Sequence, residues 1–131
     1  MKQEQYIHIS KYGNKFYFKD REMTIHHRLD GPAVEWADGS KSWYVNDKLH
    51  RTDGPAVERA TGSKDWRVDG KLHRLDGPAI ERANGYKAWF VDDKELTEEQ
   101  FNALTAPKIE LTLEDIADKF GVDVSKVKIV K

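Results

Sequence analysis

The stretch that decides the fold is His27-Arg28-Leu29-Asp30-Gly31-Pro32-Ala33, which opens a 23-residue unit that ends at Leu49. The unit recurs from His50 to Leu72 and from His73 to Glu95, and thirteen of its 23 positions are identical in all three copies. A fixed period of this length is typical of repeat arrays, in which each unit packs against its neighbours. We therefore predict a three-repeat array over residues 27–95.

Each unit contains two β-prone runs separated by turn residues. In the first copy Ala33-Val34-Glu35-Trp36 leads to Asp38-Gly39, and Ser42-Trp43-Tyr44-Val45 leads to Asn46-Asp47. Asp-Gly and related pairs between such runs favour hairpins, because a type I′ turn needs positive φ at both central residues. The Asp-Gly-Pro corner supplies a further turn and a proline that cannot donate to a sheet. The pattern predicts a mainly β fold, an antiparallel β-meander that runs through the repeats.

Residues 1–26 predict N-terminal strands and a degenerate capping repeat. Tyr6–Ile9 and Lys15–Phe18 are β-prone, and the spacing from Gly13 to Tyr17 matches that of the glycine and tryptophan in the full units. Terminal units of an array have one face without a neighbour and are usually atypical.

The composition changes after Glu95, and residues 96–131 predict a small C-terminal α/β appendage. Thr97-Glu98-Glu99-Gln100 is a capping-box sequence, so a helix is expected from about residue 98 to residue 104, ending before Pro107. A second helix is expected after Thr112 and ends at Gly121, between strand-like runs at 108–111 and 127–130.

A DNA-binding alternative exists for this appendage. The stretch from Ala117 to Val127 resembles the turn region of helix-turn-helix proteins, with Gly121 at the turn. The recognition helix would be short and would offer few basic contacts, namely Lys126, Lys128 and Lys131. Few phosphates would be neutralised, so DNA binding is kept as the alternative and nucleic acid is not the expected partner.

The composition excludes several classes of function. The net charge is −1 although 34% of residues are charged, so no global field attracts nucleic acid or an anionic membrane. Cysteine is absent, which excludes disulfides and thiolate metal sites. His8 and His26 have no partners at metal-ligand spacing, so we expect neither metal nor cofactor. There is no long apolar run and no signal-like apolar block in Met1–Ser10, so we expect a cytoplasmic protein without membrane contact.

Stacking of the units should align equivalent side chains in rows. The aromatic row is expected to be core, since each tryptophan buries on the order of 150–250 Å²; an alternative is a stacking platform for bases or sugars. Strict alternation places a valine row on the same face and a mixed row on the other. The three rows are Trp43, Trp66 and Trp89; Val45, Val68 and Val91; and Tyr44, Arg67 and Phe90. Val34, Val57 and Ile80 are the expected apolar partners of the tryptophans.

A polar row is the main candidate site. It consists of three histidines and three arginines spaced by one repeat, His27, His50, His73, Arg28, Arg51 and Arg74. Guanidinium groups suit phosphate-like anions, and protonated histidines add donors. The alternative is a satisfied charge network, because an aspartate follows each arginine two residues later and a glutamate recurs nearby. No copy stands out as an active site would, so we assign no catalytic residue and expect no enzyme.

The step Gly70-Lys71-Leu72-His73, preceded by Trp66 and followed by Gly77, resembles MORN-type repeats over about residues 13–95. The chain departs from that pattern where it has His-Arg-x-Asp-Gly-Pro-Ala. Arrays with "LHRxDGPA" units resemble accessory proteins of tailed bacteriophages. The resemblance implies stacked β units and a non-catalytic binding or assembly role, often in host takeover or counter-defence.

The expected function is therefore that of a non-enzymatic phage accessory protein that inhibits or sequesters a host defence protein or a nucleotide-like signalling ligand. The candidate contacts are the Arg/His row together with Tyr44, Arg67 and Phe90. A DNA-binding regulator and a structural virion or assembly component are the alternatives. The C-terminal element is expected to cap the open edge of the array or to build a homo-oligomer, because an uncovered sheet edge favours pairing.

Overall fold

A computed structural model describes residues 4–107 of the chain. These residues form short strands and one helix, in the order β1 (Tyr6–Ile9), β2 (Lys15–Phe18), β3 (Val34–Glu35), β4 (Lys41–Ser42), β5 (Tyr44–Val45), β6 (Lys48–Leu49), β7 (Val57–Glu58), β8 (Lys64–Asp65), β9 (Arg67–Val68), β10 (Lys71–Leu72), β11 (Ile80–Glu81), β12 (Lys87–Val91), β13 (Lys94–Leu96) and α1 (Glu98–Thr105). In this part of the chain no helix is long and apolar enough to cross a membrane.

Nine strands form one antiparallel sheet in the order β1-β2-β3-β4-β7-β8-β11-β12-β13. Each full repeat contributes two neighbouring strands to it, the degenerate first unit contributes β1 and β2, and β13 adds a ninth strand at the end of the third repeat. The other four strands form two small hairpins, β5–β6 and β9–β10. The predicted mainly β, antiparallel meander with a C-terminal helix is confirmed.

The second β-prone run of a repeat is not one continuous strand in the first two copies. It divides at Trp43, whose N–H donates to the carbonyl of Ala56 at 2.8 Å and whose carbonyl accepts from the N–H of His50 at 2.9 Å. Trp66 makes the same two bonds to Ala79 and His73, at 2.7 and 3.1 Å. At this tryptophan the chain passes from the nine-stranded sheet to the small hairpin. The backbone of the same tryptophan is hydrogen-bonded to the next repeat.

The two turns of a repeat differ in conformation. Asn46 and Asp47 have φ values of 50° and 65°, as a type I′ turn requires, and the equivalent pairs in the later repeats also have positive φ. At Asp38-Gly39 only the glycine has positive φ, 94°, and its N–H donates to the carbonyl of Trp36 at 3.0 Å. The predicted type I′ geometry is therefore wrong at this turn, which is a type I turn followed by a left-handed glycine.

The core combines the small side chains of the repeats with Phe18 and Phe101. Ala33, Ala56 and Ala79 have no exposed surface, and each follows the proline of its repeat. The cross-strand partners of Val57 are Ser42 and Asp65, and no tryptophan is a cross-strand partner of Val34 or Ile80. The expected pairing of these residues with the tryptophans across strands is therefore wrong. The tryptophans of the aromatic row, Trp43, Trp66 and Trp89, are only half-buried, so the expectation that this row forms the core is wrong.

The predicted helix after the array is confirmed as α1, which begins after Thr97. The Thr97 hydroxyl accepts from the Gln100 N–H at 3.0 Å, and the Gln100 side chain accepts from the Thr97 N–H at 2.9 Å. This capping box satisfies donors at the helix start. Phe101 is buried and anchors the helix beside the last strands. The predictions for residues 108–131, including the second helix and the helix-turn-helix alternative, lie outside the described residues.

Candidate binding grooves at the repeat corners

Each arginine of the predicted polar row lies over an aromatic ring of the preceding unit. The guanidinium carbon is 4.0 Å from the ring centre of Tyr17 for Arg28, 3.9 Å from that of Trp43 for Arg51, and 3.8 Å from that of Trp66 for Arg74. Such contacts are attractive because the face of an aromatic ring carries partial negative charge. The row therefore joins successive units.

The same guanidinium groups are hydrogen-bonded within their own repeat. Arg51 donates from Nε to Asp53 at 2.9 Å and from Nη1 to the carbonyl of Pro55 at 3.1 Å, and Glu58 accepts from Nη1 at 3.3 Å. Arg74 repeats this pattern. Arg28 makes the equivalent bonds to Asp30 and Pro32, but its Nη1 lies 3.9 Å from Glu35, which is an ion-pair distance and not a hydrogen bond. The geometry favours the satisfied charge network over a vacant anion site.

The glycine of the Asp-Gly-Pro corner is explained by close approach of the arginine. A Cβ at Gly54 would lie 2.8 Å from the guanidinium carbon of Arg51, and equivalent approaches of 3.0 and 2.8 Å occur at Gly31 and Gly77. No side chain fits there without displacing the guanidinium. This glycine allows the close approach of the guanidinium, unlike Gly39, which has a positive φ.

The three histidines support the hairpin turns. Nδ1 of His27 accepts from the backbone N–H of Asn46 at 3.0 Å, Nδ1 of His50 from that of Asp69 at 3.0 Å, and Nδ1 of His73 from that of Asp92 at 3.1 Å. In this geometry Nδ1 is the acceptor nitrogen of each ring. Burial, followed by the nearby positive charge of Lys19, holds the pKa of His27 below its usual value.

Successive corners enclose two equivalent grooves of about 630 Å³ each. Each is lined by two arginines, two aspartates, a histidine, a tryptophan and a valine. The first contains Arg28, Asp30, Trp43, Val45, His50, Arg51 and Asp53, and the second contains Arg51, Asp53, Trp66, Val68, His73, Arg74 and Asp76. Leu29 and Leu75 stand at the walls and are 75% and 56% exposed. The grooves thus combine apolar contact area with balanced charge.

The other predicted contact residues lie apart from these grooves. Tyr44 is half-buried and lines a separate depression of about 360 Å³ with Trp36 and Leu49. Arg67 is half-buried and donates from Nη1 to the carbonyl of Gly70 at 2.8 Å. Phe90 is also half-buried. The structure does not bring these three side chains together with the Arg/His row. Only their backbone carbonyls contact it, since each accepts a hydrogen bond from the backbone N–H of one arginine of the row.

A row of alternating charge crosses the sheet, and it is formed by the recurring glutamates and lysines that the sequence suggests as a charge-balanced network. Its members are direct cross-strand partners in the order Lys15, Glu35, Lys41, Glu58, Lys64, Glu81, Lys87. Opposite charges on facing positions stabilise antiparallel pairing. The repeated Glu and Lys positions were visible in the sequence, but their register was not. The row supplies the glutamates that contact the arginines.

Within residues 4–107, no group of three or more histidine, aspartate or glutamate side chains is arranged to hold a metal ion. No protein-family model, no curated protein and no solved structure matches the chain.

Proposed function

We propose that this chain is a non-enzymatic binding protein that holds a segment of a partner protein in the grooves between its repeat corners. The observation that carries the proposal is the pair of equivalent grooves. Each has a volume of about 630 Å³, is open to solvent and has an exposed leucine in its wall. Concave sites with apolar walls and a few oriented polar groups are the usual binding sites of proteins.

The charge of the grooves favours a protein segment over an anion. In the second groove the two arginines, Arg51 and Arg74, are matched by the two aspartates, Asp53 and Asp76. The aspartates accept from Nε of these arginines, and Nη1 donates to a proline carbonyl and a glutamate. A phosphate would meet these carboxylates as well as the guanidinium groups, which reduces the net attraction.

A nucleotide-like anion is the second candidate, and one feature supports it. The hydrogen bonds of Arg28, Arg51 and Arg74 within the described residues use Nε and Nη1, and none of them uses Nη2. An anion bound between two successive corners could accept hydrogen bonds from the Nη2 atoms of both arginines. Thermal stabilisation by nucleotides that is lost in Arg51→Ala and Arg74→Ala would support this candidate.

The resemblance to phage accessory arrays indicates the kind of partner, the effect and the place of action. It supports a host protein as the partner, inhibition or sequestration as the effect, and the host cytoplasm as the place of action. A virion component and a DNA-binding regulator are the competing functions.

Affinity capture tests the proposal. The tagged chain is compared with a groove variant, Leu29→Asp together with Leu75→Asp, and with the control Leu104→Asp. Leu104 is 60% exposed, on α1, and lines neither groove. A bacterial protein that is retained at stoichiometric level by wild type and by the control, but not by the groove variant, supports the proposal. Equal retention by all three chains, or no retained protein, contradicts it.

A further inference from the structure

The corner that begins at His27 has no preceding repeat, and its cavity differs from the two open corner grooves. At this first corner the cavity has a volume of about 100 Å³, against about 630 Å³ in each open groove. All three are lined by residues at the same three positions of the unit, which are Lys19, Val45 and Val68; His27, His50 and His73; and Leu29, Thr52 and Leu75. Only the first corner is also lined by residues of the N-terminal segment, Glu4 and Gln5.

Gln5 makes a contact at the first corner that has no counterpart at the other two. Its Nε2 donates to the carbonyl of His27 at 3.3 Å. Among the described residues, no group donates to the carbonyl of His50 or of His73. The preceding corner that forms the wall of an open groove does not make this bond. Gln5 therefore fills the first corner and does more than replace its missing wall.

The burial of the three histidines agrees with this difference. His27 is buried, with 9% of its surface exposed, whereas His50 and His73 are half-buried. The three rings are otherwise held alike, because Nδ1 of each accepts a backbone N–H of the following hairpin turn. The first corner thus shows how the chain itself covers a groove that stays open in the two later units.

We propose that each open corner groove binds a glutamine side chain of an extended partner segment, in the way that the first corner binds Gln5. The amide of this glutamine donates to the carbonyl of His50 or of His73. A glutamine suits the site because its amide is a neutral donor, and the arginines and aspartates of the groove already balance each other. An ionised glutamate has the same length but only acceptor oxygens, so it has nothing to donate to a carbonyl.

The residue before the glutamine is expected to be apolar. In the first corner Glu4 precedes Gln5, and Lys19 lines the same cavity. The open grooves have Val45 and Val68 at the position of Lys19, and a valine offers apolar contact without a charge. A partner segment with an apolar residue followed by glutamine therefore fits the open grooves better than the sequence Glu-Gln of the chain itself.

This inference rests on the proposed function and deepens it, because it names the chemistry of the segment that the corner grooves hold. The two can fail separately. Affinity capture with the leucine variants decides whether the grooves hold a partner protein, whereas a peptide titration decides whether they select glutamine. Partner capture that depends on the grooves, combined with peptide binding that ignores the glutamine, would remove this inference alone.

The test is a titration of the ¹⁵N-labelled full chain with the blocked peptide Leu-Gln-Tyr-Ile, which is residues 4–7 with leucine in place of Glu4. The tryptophan indole N–H signals are monitored and are assigned with Trp→Phe variants. Trp43 and Trp66 line the open grooves, whereas Trp36 and Trp89 line neither and serve as controls. Saturable shifts of the Trp43 and Trp66 signals, without shifts of the control signals, are the expected result.

Matched peptides test the role of the amide. Methionine in place of glutamine keeps the length of the side chain and removes the donor, so binding should weaken about 2- to 10-fold, the usual value of one hydrogen bond. Glutamate should weaken binding at least as much. Equal affinities for the glutamine and methionine peptides would overturn the proposal, and so would the absence of shifts at Trp43 and Trp66 or equal shifts at the two control tryptophans.

The variant Gln5→Ala provides a further control, because it removes the side chain that fills the first corner. The backbone amide signal of His27 should not respond to the glutamine peptide in wild type and should respond in this variant. A response in the variant alone supports the equivalence of the three corners. No response in the variant would contradict that equivalence and with it the proposal.

Discussion

The guanidinium carbon of Arg51 lies 3.9 Å from the centre of the Trp43 ring, which belongs to the preceding repeat. The same guanidinium is bonded to Asp53 and to the carbonyl of Pro55 in its own repeat. Arg51 therefore ties one unit to the next. In a repeat array, stability is approximately the sum of the units and of the interfaces between neighbours, so a residue of this kind acts on the whole array.

Removal of this arginine should destabilise the fold. Arg51→Ala is expected to lower the free energy of unfolding by about 1–3 kcal/mol, since it removes the ring contact and several hydrogen bonds. Arg51→Lys should lose most of the same amount, because an ammonium lacks the planar fork. Urea denaturation measures both.

The matched control is Arg21→Ala. Arg21 is exposed and makes no side-chain hydrogen bond within the described residues, so its removal should leave the unfolding free energy nearly unchanged. Equal losses in Arg51→Ala and Arg21→Ala would show that the ring contact does not stabilise the array.

A side chain at the corner glycine, Gly54, should leave the stability unchanged only when Arg51 is absent. Gly54→Ala places a Cβ 2.8 Å from the guanidinium carbon of Arg51 and should displace it from the Trp43 ring, which lowers stability. In the Arg51→Ala background the same glycine substitution should cost little. A double-mutant cycle by urea denaturation measures this coupling. Additive losses would contradict the packing role assigned to Gly54.

The stability of the chain should decrease at mildly acidic pH through His27. Its pKa is lowered in the folded state, first by burial and then by Lys19, relative to about 6.5 in an unfolded chain. Between the two pKa values the unfolded state binds more protons. The unfolding free energy is therefore fully maintained above about pH 6.5 and falls as the pH drops through and below that value.

The comparison variant for this pH effect is His27→Asn. Its Oδ1 atom can accept the Asn46 N–H in place of Nδ1, but it does not titrate. Urea denaturation at pH 7.5 and 5.5 should show a smaller loss of stability in this variant than in wild type. The same pH dependence in both chains would show that His27 is not responsible.

Nucleotides should not stabilise the wild-type chain measurably, because the aspartates and glutamates already neutralise the arginines of the corner grooves. Asp53→Asn together with Asp76→Asn removes two of these carboxylates, and any weak phosphate binding should increase in that variant. Thermal unfolding with and without nucleoside triphosphate measures both effects. Clear stabilisation of wild type would favour the anion candidate over the protein partner.

The sequence was sufficient for the architecture because the signals for it are local. The period of 23 residues, the turn pairs such as Asn46-Asp47 and the capping box at Thr97 each act through neighbouring residues. The strands Tyr6–Ile9 and Lys15–Phe18 were placed correctly for the same reason. The charge pairing of Arg51 with Asp53 was also visible as an i, i+2 spacing.

Other features depend on contacts between repeats, which the pattern of one repeat does not contain. The division of the strand at Trp43 follows from hydrogen bonds to Ala56 and His50 in the next unit. The stacking of Arg51 on Trp43 requires the offset between neighbouring corners. The pairing of Val57 with Ser42 of the preceding repeat, instead of with a tryptophan, is likewise a contact between two repeats.

The measurement that tests the central claim most directly is site-specific photo-crosslinking in the bacterial host, with a benzophenone amino acid at position 75 or at position 104. Leu75 and Leu104 are similarly exposed, at 56% and 60%, but only Leu75 lines a corner groove. A covalent adduct with one defined protein from position 75, and none from position 104, is the predicted result. Adducts of equal yield from both positions, an adduct from position 104 alone, or no adduct from either would contradict binding in the corner grooves.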